Sequence, residues 1–286
     1  MDIHAEIAQL FVYPVKSCAG IALQEAVLTE TGLDLDRAWM VVDAEGEFVS
    51  QRELPRMALI RPQLKTYEMV LRAPGMLALH VEIDKVEKPV TVRVWDDSCS
   101  AYDMGDVAAQ WFSDFLGPAC GPLRLVRFDP EQRRLSSLKW TKGVEAENQF
   151  ADGFALLVTS EASLADFNTR LAAAGHKPVG IERFRPNLVL RGVEAFDEDR
   201  LGVLQITTGE GTARLDMVKP CARCPIPNID PATALASPEV SDTLQTFRQN
   251  ALLKGAVTFG MNAIVLEGDG HNLRVGQPVS ASYVFD

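Results

Sequence analysis

Cys221 and Cys224 are the residues of this chain whose type and spacing are best suited to chemistry. They lie three positions apart in a proline-rich segment, residues 217–231, which also contains Lys219 and Arg223. A thiolate is a nucleophile and a ligand for soft metals, and neighbouring cations favour its formation. The segment is therefore a candidate for nucleophilic, redox or metal chemistry.

The spacing of the two cysteines leaves several kinds of thiol site open. A zinc site needs four ligands, and the remaining cysteines (Cys18, Cys99 and Cys120) and the four histidines offer no second pair at metal-ligand spacing. An iron–sulfur cluster needs four closely spaced thiolates. A thioredoxin-like pair lies at a helix N-terminus, whereas Pro225 disfavours helical geometry at Cys224 and predicts a rigid loop. The alternative without chemistry is a pair of small residues buried in the core.

The composition predicts a cytoplasmic globular protein. The chain has 286 residues, of which 47% are hydrophobic and 23% charged, enough for two domains. Its net charge of −11 argues against nucleic acid or an anionic membrane as a general partner, so an anionic ligand would need a local basic pocket. The first residues lack a signal-peptide pattern, and no apolar run approaches the roughly 20 residues of a membrane-spanning helix. Five cysteines are too few for a disulfide scaffold in a chain of this length.

The first half of the chain reads as mainly β. Short apolar runs separated by turn residues predict an antiparallel barrel or sandwich. These runs are residues 7–12, 21–28, 38–42, 58–64, 77–83 and 90–95. Helical spacing of Trp111, Phe112 and Phe115 then predicts a helix over residues 106–116, ended by Gly117 and Pro118.

The second half reads as β-rich with two helices. Strands are predicted at residues 154–158, 187–190, 203–207, 213–218, 262–266 and 278–285. One helix, residues 162–174, begins after a cap at Ser160, and a second covers residues 241–249. The predicted fold class is therefore mainly β with a few helices (α+β). The predicted domains are residues 1–120 and 121–286, and adjacent β domains of this kind can share strands.

The cysteine segment resembles the MOSC family, the molybdenum cofactor sulfurase C-terminal domain. It is most similar to the branch that includes the mitochondrial amidoxime-reducing component and its bacterial relatives. That branch has a Cys-x-Arg-Cys motif followed by Val-Asp-Pro, and here residues 221–231 read CARCPIPNIDP. Relatives often read CSRCILTTVDP, so this chain differs at positions 222 and 225–228 and has Ile229 in place of Val.

Further motifs of the same family follow in order over almost the whole chain. They are residues 13–18 (YPVKSC), 32–39 (GLDLDRAW), 154–168, 183–187 (RFRPN), 259–262 (FGMN) and 275–279 (VGQPV). Several motifs in order are far more specific than one pair of cysteines. The resemblance thus implies an N-terminal MOSC-type β-barrel domain packed on a MOSC domain, with a cofactor cleft between them.

The resemblance also implies a site for a phosphate-bearing molybdenum–molybdopterin. It nominates Cys224 as the metal ligand and as a catalytic residue, and Asp230 as a second catalytic residue beside the metal. It places these residues around the cofactor: Lys16, Ser17, Arg37, Ser160, Arg185, Asn187, Cys221, Ala222, Arg223 and Asn262. Cations and hydroxyls of this kind suit a phosphate and a polar ring edge.

The activity implied by the resemblance is reduction of N-hydroxylated compounds such as hydroxylamines, amidoximes and hydroxylated bases. No intrinsic iron–sulfur cluster is expected, so electrons would come from a separate ferredoxin-, flavin- or haem-type protein. Neither nucleic acid nor membrane is expected as a partner. Two alternatives remain open: a cofactor or sulfur carrier with a persulfide at Cys224, and a thiol redox protein that uses Cys221 and Cys224 equally.

Overall fold

The computed structural model describes residues 3–85, 88–117 and 121–285. Pro118 and Cys120, and with them the predicted domain boundary at residue 120, lie outside the described residues. The described part is mainly β with three α-helices, which confirms the predicted fold class. None of its helices has the length and apolar character required to cross a membrane.

The elements alternate short strands with a few helices along the chain. The strands before residue 130 are β1 (Ile3–Val12), β2 (Ile21–Leu23), β3 (Glu25–Thr29), β4 (Gly32–Leu33), β5 (Trp39–Val42), β6 (Arg61–Leu64), β7 (Glu68–Arg72), β8 (Leu79–Glu82), β9 (Lys88–Val94), β10 (Asp97–Asp103) and β11 (Arg124–Phe128). The later strands are β12 (Leu156–Ser160), β13 (Leu188–Arg191), β14 (Val203–Thr207), β15 (Thr212–Ala222), β16 (Gln249–Asn250), β17 (Ala256–Glu267), β18 (Asn272–Arg274) and β19 (Pro278–Ala281). The helices are α1 (Asp106–Leu116), α2 (Glu161–Ala173) and α3 (Glu239–Gln245).

A closed seven-stranded barrel is the centre of the molecule. Its order is β12-β13-β1-β19-β14-β15-β17, and β17 pairs back onto β12. Strand β1 enters it from the N-terminus, with Ile7 opposite Leu190 of β13 and Ala5 opposite Val279 of β19. Closure leaves no free sheet edge among these seven strands. The N-terminal strand is therefore shared with the second half of the chain.

The remainder of the first half forms a second β-rich layer. One sheet has the order β5-β11-β10-β9 and another the order β6-β7-β8. Helix α1 has the predicted bounds and packs Phe112 and Phe115 into a core that also contains Met57 and Leu125. Burial of such aromatic side chains contributes the largest apolar areas available to a core.

The structure also differs from the predicted elements. The run 58–64 is a 3-10 turn (Pro55–Leu59) followed by β6, and the predicted helix 241–249 ends at Gln245. The last strand ends at Ala281 instead of residue 285. The strands that were not predicted are β4, β7, β10, β11, β16 and β18. Strand β10 reads DSCSAYD. Its buried positions are the small residues Cys99 and Ala101 and the charged Asp103, so the apolar alternation is weak.

Candidate functional site

A cleft between the barrel and the N-terminal layer brings together most of the predicted site. We call it the cationic cleft. It contains ten of the twelve residues nominated from the sequence: Lys16, Ser17, Arg37, Arg185, Asn187, Cys221, Ala222, Arg223, Cys224 and Asn262. They come from both halves of the chain. Long-range packing therefore assembles residues that are separated by more than 200 positions.

The loop that carries Cys224 begins where β15 ends. The Arg223 amide still donates to the Val257 carbonyl (2.8 Å), and Cys224 follows outside the strand. A 3-10 turn, Ile226–Asn228, comes directly after Pro225. Arg183 holds this loop by donating to the Pro227 carbonyl at 3.1 Å. Cys224 thus lies in a restrained loop, as Pro225 predicted.

Both thiols are half-buried and unoxidised, but the nearby cations are arranged differently from the sequence expectation. The Arg223 guanidinium donates to Cys221 Sγ (3.1 Å) and to the Phe184 carbonyl (2.9 Å), so its contact is with Cys221. Lys219 Nζ lies 5.3 Å from the ring centroid of Trp140, outside the lining of the cleft. Arg223 Nε is buried without a hydrogen-bond partner in the described part of the chain.

Two arginines of the cleft stack on Tyr13. The Cζ atoms of Arg37 and Arg185 each lie 4.3 Å from its ring centroid. Arg37 also donates to Asn187 Oδ1 (3.2 Å), and Arg185 donates to the Cys18 carbonyl (2.7 Å). Burial and the neighbouring Arg37 lower the pKa of Arg185 to about 10, so the Arg185 guanidinium is charged at neutral pH. The ring of Tyr13 thus holds two positively charged guanidinium groups close together and in a fixed orientation.

Three residues of the cleft adopt left-handed backbone geometry. The φ angles of Ser17, Arg37 and Arg185 are 68°, 51° and 59°. Non-glycine residues rarely occupy this region, and local strain of this kind clusters at functional sites. Each residue lies at a point where the chain turns to direct a polar side chain into the cleft.

Sequence reasoning did not single out Asp152, which contacts Lys16. Lys16 Nζ donates to the Phe150 carbonyl (2.8 Å) and to Asp152 Oδ1 (2.5 Å). Burial lowers the pKa of Lys16, and the Asp152 carboxylate opposes that shift. The side chain of Arg134, only 6% exposed, fixes this loop by donating to the Ala151 carbonyl at 2.6 Å. The Asp-Gly sequence at 152–153 is a local turn signal, but it does not indicate the contact with Lys16.

Arg52 and Phe48 are further lining residues that the sequence analysis did not identify. Arg52 Cζ lies 4.6 Å from the ring centroid of Trp95, and Trp95 Nε1 donates to Asp152 Oδ1 at 3.2 Å. Trp95 is 45% exposed. These contacts join the N-terminal layer to the loop around Asp152.

Ser160 and Asp230 lie outside the lining of the cleft. Ser160 caps α2: its Oγ accepts from the Ser163 amide (3.1 Å) and donates to Glu198 (3.0 Å), which confirms the predicted cap. Asp230 accepts from the Ala232 amide (2.8 Å) and pairs with Arg183 (3.2 Å). Both side chains therefore have structural partners, and their roles toward a cofactor stay predictions.

The cleft combines a strong positive charge with two thiols. Its described lining contains five cations, Lys16, Arg37, Arg52, Arg185 and Arg223, against one carboxylate, that of Asp152. No group of three His, Cys, Asp or Glu side chains suited to a metal occurs within residues 3–85, 88–117 and 121–285. Charged groups in a cleft with low-dielectric walls focus their field on a bound ligand. The arrangement suits an anionic ligand placed beside a thiol.

A shared barrel with a cationic, thiol-bearing cleft defines a cofactor-binding class of β protein, and the comparisons name its family. Residues 4–119 match the MOSC N-terminal beta barrel domain and residues 145–280 match the MOSC domain. The chain is 33% identical over 287 residues to mitochondrial amidoxime reducing component 2 of Bos taurus, covering 96% of this chain and 82% of that protein. It is 34% identical to mitochondrial amidoxime-reducing component 1 of Homo sapiens, with the same coverage.

A longer relative shares the same region. Molybdenum cofactor sulfurase of Bos taurus is 29% identical over 266 residues, which cover 87% of this chain and 29% of that protein. The chain belongs to the MOSC family, as the motifs predicted. Its relatives support an association with the molybdenum cofactor and an oxidoreductase activity.

Proposed function

We propose that the protein is a molybdenum cofactor-dependent reductase of N-hydroxylated compounds, with Cys224 as the protein ligand to the metal. The observation that carries the proposal is the cationic cleft with the Cys224 loop at its wall. The amidoxime-reducing names of its relatives support the substrate class. Reduction of R–NHOH to R–NH₂ and water consumes two electrons and two protons, which a separate redox protein and solvent would supply.

The residues present fit the cofactor. Five cations suit a phosphate-bearing anion in a chain whose net charge is −11. The partnerless Nε of Arg223 is a buried donor still available to a ligand. Lys16, Ser17, Arg37, Arg185 and Asn187 would hold it from one side. Cys221, Ala222, Arg223 and Asn262 would contact it from the side of β15 and β17.

The bound cofactor would supply the redox centre for cleavage of the N–O bond. Cys224 would fix the metal end in the restrained loop, and the cations would fix the phosphate end. Asp230 lies on the same loop as Cys224 and is proposed to accept a hydrogen bond from the substrate or from a water beside it. Its pairing with Arg183 would orient the carboxylate. Ser160 would contribute to the site indirectly, because it caps the N-terminus of α2.

The test is molybdenum per chain in protein produced with an intact cofactor pathway. We expect near-stoichiometric metal in the wild type, little in Cys224→Ser and most of it in Cys221→Ser. Wild-type protein with a chemical electron donor should reduce hydroxylamine. Metal-free wild type would contradict the proposal, and equal losses in the two serine variants would favour a paired-thiol redox protein.

A sulfur carrier is the second candidate. It is favoured by the half-buried, unoxidised thiol of Cys224 and by the similarity to molybdenum cofactor sulfurase. A carrier would show transferable sulfur on Cys224 without turnover of hydroxylamine. We also propose that the chain divides into two domains at residue 120 and that the protein is cytoplasmic.

A further inference from the structure

A second cavity, which we call the side cavity, adjoins the cationic cleft. Arg185 and Ile226 line both spaces, so the two spaces meet at these two side chains. Ile226 follows Cys224 by two positions and belongs to the segment in which this chain differs from the motif of its relatives. Phe11, Ile229 and Ala58 supply apolar wall. The side cavity is therefore an apolar space next to the proposed metal ligand.

One residue that lines the side cavity, Tyr13, has a buried hydroxyl without a partner among the described residues. Tyr13 lines the cavity and is 1% exposed, and its Oη has no hydrogen-bond partner among residues 3–85, 88–117 and 121–285. The ring cannot turn away freely because Arg37 and Arg185 stack on it. Burial raises the pKa of Tyr13, so the hydroxyl keeps its proton and can donate it. Buried polar groups of native proteins are almost always satisfied, which points to a ligand acceptor here.

The charges around the side cavity favour an acceptor or an anion. Arg185 and Arg61 contribute to its lining, and Glu182 is an exposed carboxylate at the same lining. Arg183 is already committed to Asp230 and to the Pro227 carbonyl. A polar group that reaches Tyr13 Oη would thus be close to Arg185, which is charged at neutral pH.

We propose that the side cavity binds the body of the substrate: an aromatic N-hydroxylated compound whose far end is a hydrogen-bond acceptor such as a carboxylate. The apolar wall would cover the ring, and the Tyr13 hydroxyl would bind the far end. The positive charge of Arg185, whose guanidinium is proposed to hold the cofactor, would attract the far end without binding it directly. The N–O group would remain on the Cys224 side of Ile226. The substrate class in this inference rests on the proposed reductase function. Binding of an aromatic anion in the side cavity does not depend on that function.

Binding is tested with benzoate on the full chain, by calorimetry or ligand-observed NMR. Tyr13→Phe keeps the ring and removes the hydroxyl, so we expect the Kd to rise by about fivefold, the scale of one lost hydrogen bond. Ala232→Trp should fill the mouth of the cavity and abolish binding. Leu235→Trp is the matched control, because Leu235 is 71% exposed on the same loop and does not line the cavity. Each variant is first checked for a wild-type thermal transition.

Turnover of three substrates separates this inference from the proposed function. Hydroxylamine has no organic group, benzamidoxime has an aromatic ring, and 4-carboxybenzamidoxime has an aromatic ring and a hydrogen-bond acceptor at its far end. We expect the lowest KM for 4-carboxybenzamidoxime. Ala232→Trp should raise that KM by about tenfold and change the KM of hydroxylamine much less. Absence of benzoate binding, or equal binding by Ala232→Trp, would overturn the side-cavity proposal. Benzoate binding without any reductase turnover would contradict the proposed function and leave the side-cavity proposal intact.

Discussion

At the scale of single residues, Lys16 is a buried cation held by two oxygens. Its side chain is 8% exposed, whereas that of Asp152 is 66% exposed. An ion pair with one solvated partner contributes little to stability, typically about 0–1 kcal/mol. Burial meanwhile lowers the pKa of Lys16 and so disfavours its charged form. The ammonium is therefore better explained by a ligand anion than by folding.

Replacing Lys16 should separate cofactor retention from stability. We expect Lys16→Met to lower molybdenum per chain by tenfold or more, because a desolvated cation facing the phosphate is lost. The melting temperature should change by only a few degrees, since methionine fits the same apolar stem. Asp152→Asn should keep most of the metal. Lys139→Met, at an exposed lysine, is the control, and equal metal content in all variants would remove Lys16 from the site.

At the scale of elements, the N-terminus of α2 carries a buried acid. Glu198 is fully buried and accepts hydrogen bonds from the hydroxyls of Ser160 (3.0 Å) and Ser163 (2.7 Å). Burial raises its pKa to about 7, and the nearby Asp199 adds to that effect. Arg248 faces this region but pairs with Asp199 at 2.5 Å. The helix terminus thus holds a carboxyl group that is partly protonated near neutral pH.

The raised pKa of Glu198 makes stability depend on pH. The native state binds the proton more tightly than the unfolded chain, where the ordinary value is 4.5, so the free energy of unfolding falls as pH rises from 4.5 to about 7. Glu198→Gln should remove this pH dependence. Between pH 5 and pH 8, the free energy of unfolding of the variant should therefore gain on the order of 2 kcal/mol relative to that of the wild type. Denaturant unfolding at the two pH values measures it.

Glu161→Gln, at the first residue of α2, is the matched control, and Glu198 itself lies in the 3-10 turn Asp197–Arg200 that packs against the N-terminus of this helix. Arg191 lowers the pKa of Glu161, so this variant should not gain stability at pH 8. A Glu198→Gln variant with the same pH dependence as the wild type would show that the carboxyl titrates in its ordinary range.

The FGMN motif has a backbone explanation within β17. Gly260 has φ +78°, and a Cβ there would lie 2.7 Å from the Val158 carbonyl oxygen in the neighbouring strand. A glycine of this kind permits close approach of two strands. Gly260→Ala should destabilise the fold by about 2 kcal/mol, seen as a lower denaturation midpoint. Gly209→Ala, at a position with open space, should change the midpoint little, and equal effects would refute this explanation.

At the scale of the whole molecule, the sequence predicted the local features better than the long-range ones. The bounds of α1, the cap at Ser160 and the loop at Cys224 depend on neighbouring residues, and all three were predicted. The position of Asp152 was missed because Arg134 and Lys16 fix it from distant parts of the chain. The side cavity likewise depends on packing of the Cys224 loop against the N-terminal layer, which no local pattern encodes.

The place of β1 in the barrel is the largest of these long-range effects, and it predicts how the chain divides. A fragment of residues 121–286 lacks the strand that pairs with both β13 and β19, so its sheet is open and its buried positions opposite Ile7 and Leu10 are uncovered. Open apolar edges favour aggregation. We expect this fragment alone to be insoluble or to melt without a cooperative transition, and co-expression with residues 1–120 to restore a soluble complex. A cooperative transition of the fragment alone near the temperature of the full chain would show that six strands suffice and that β1 only docks on a barrel already formed.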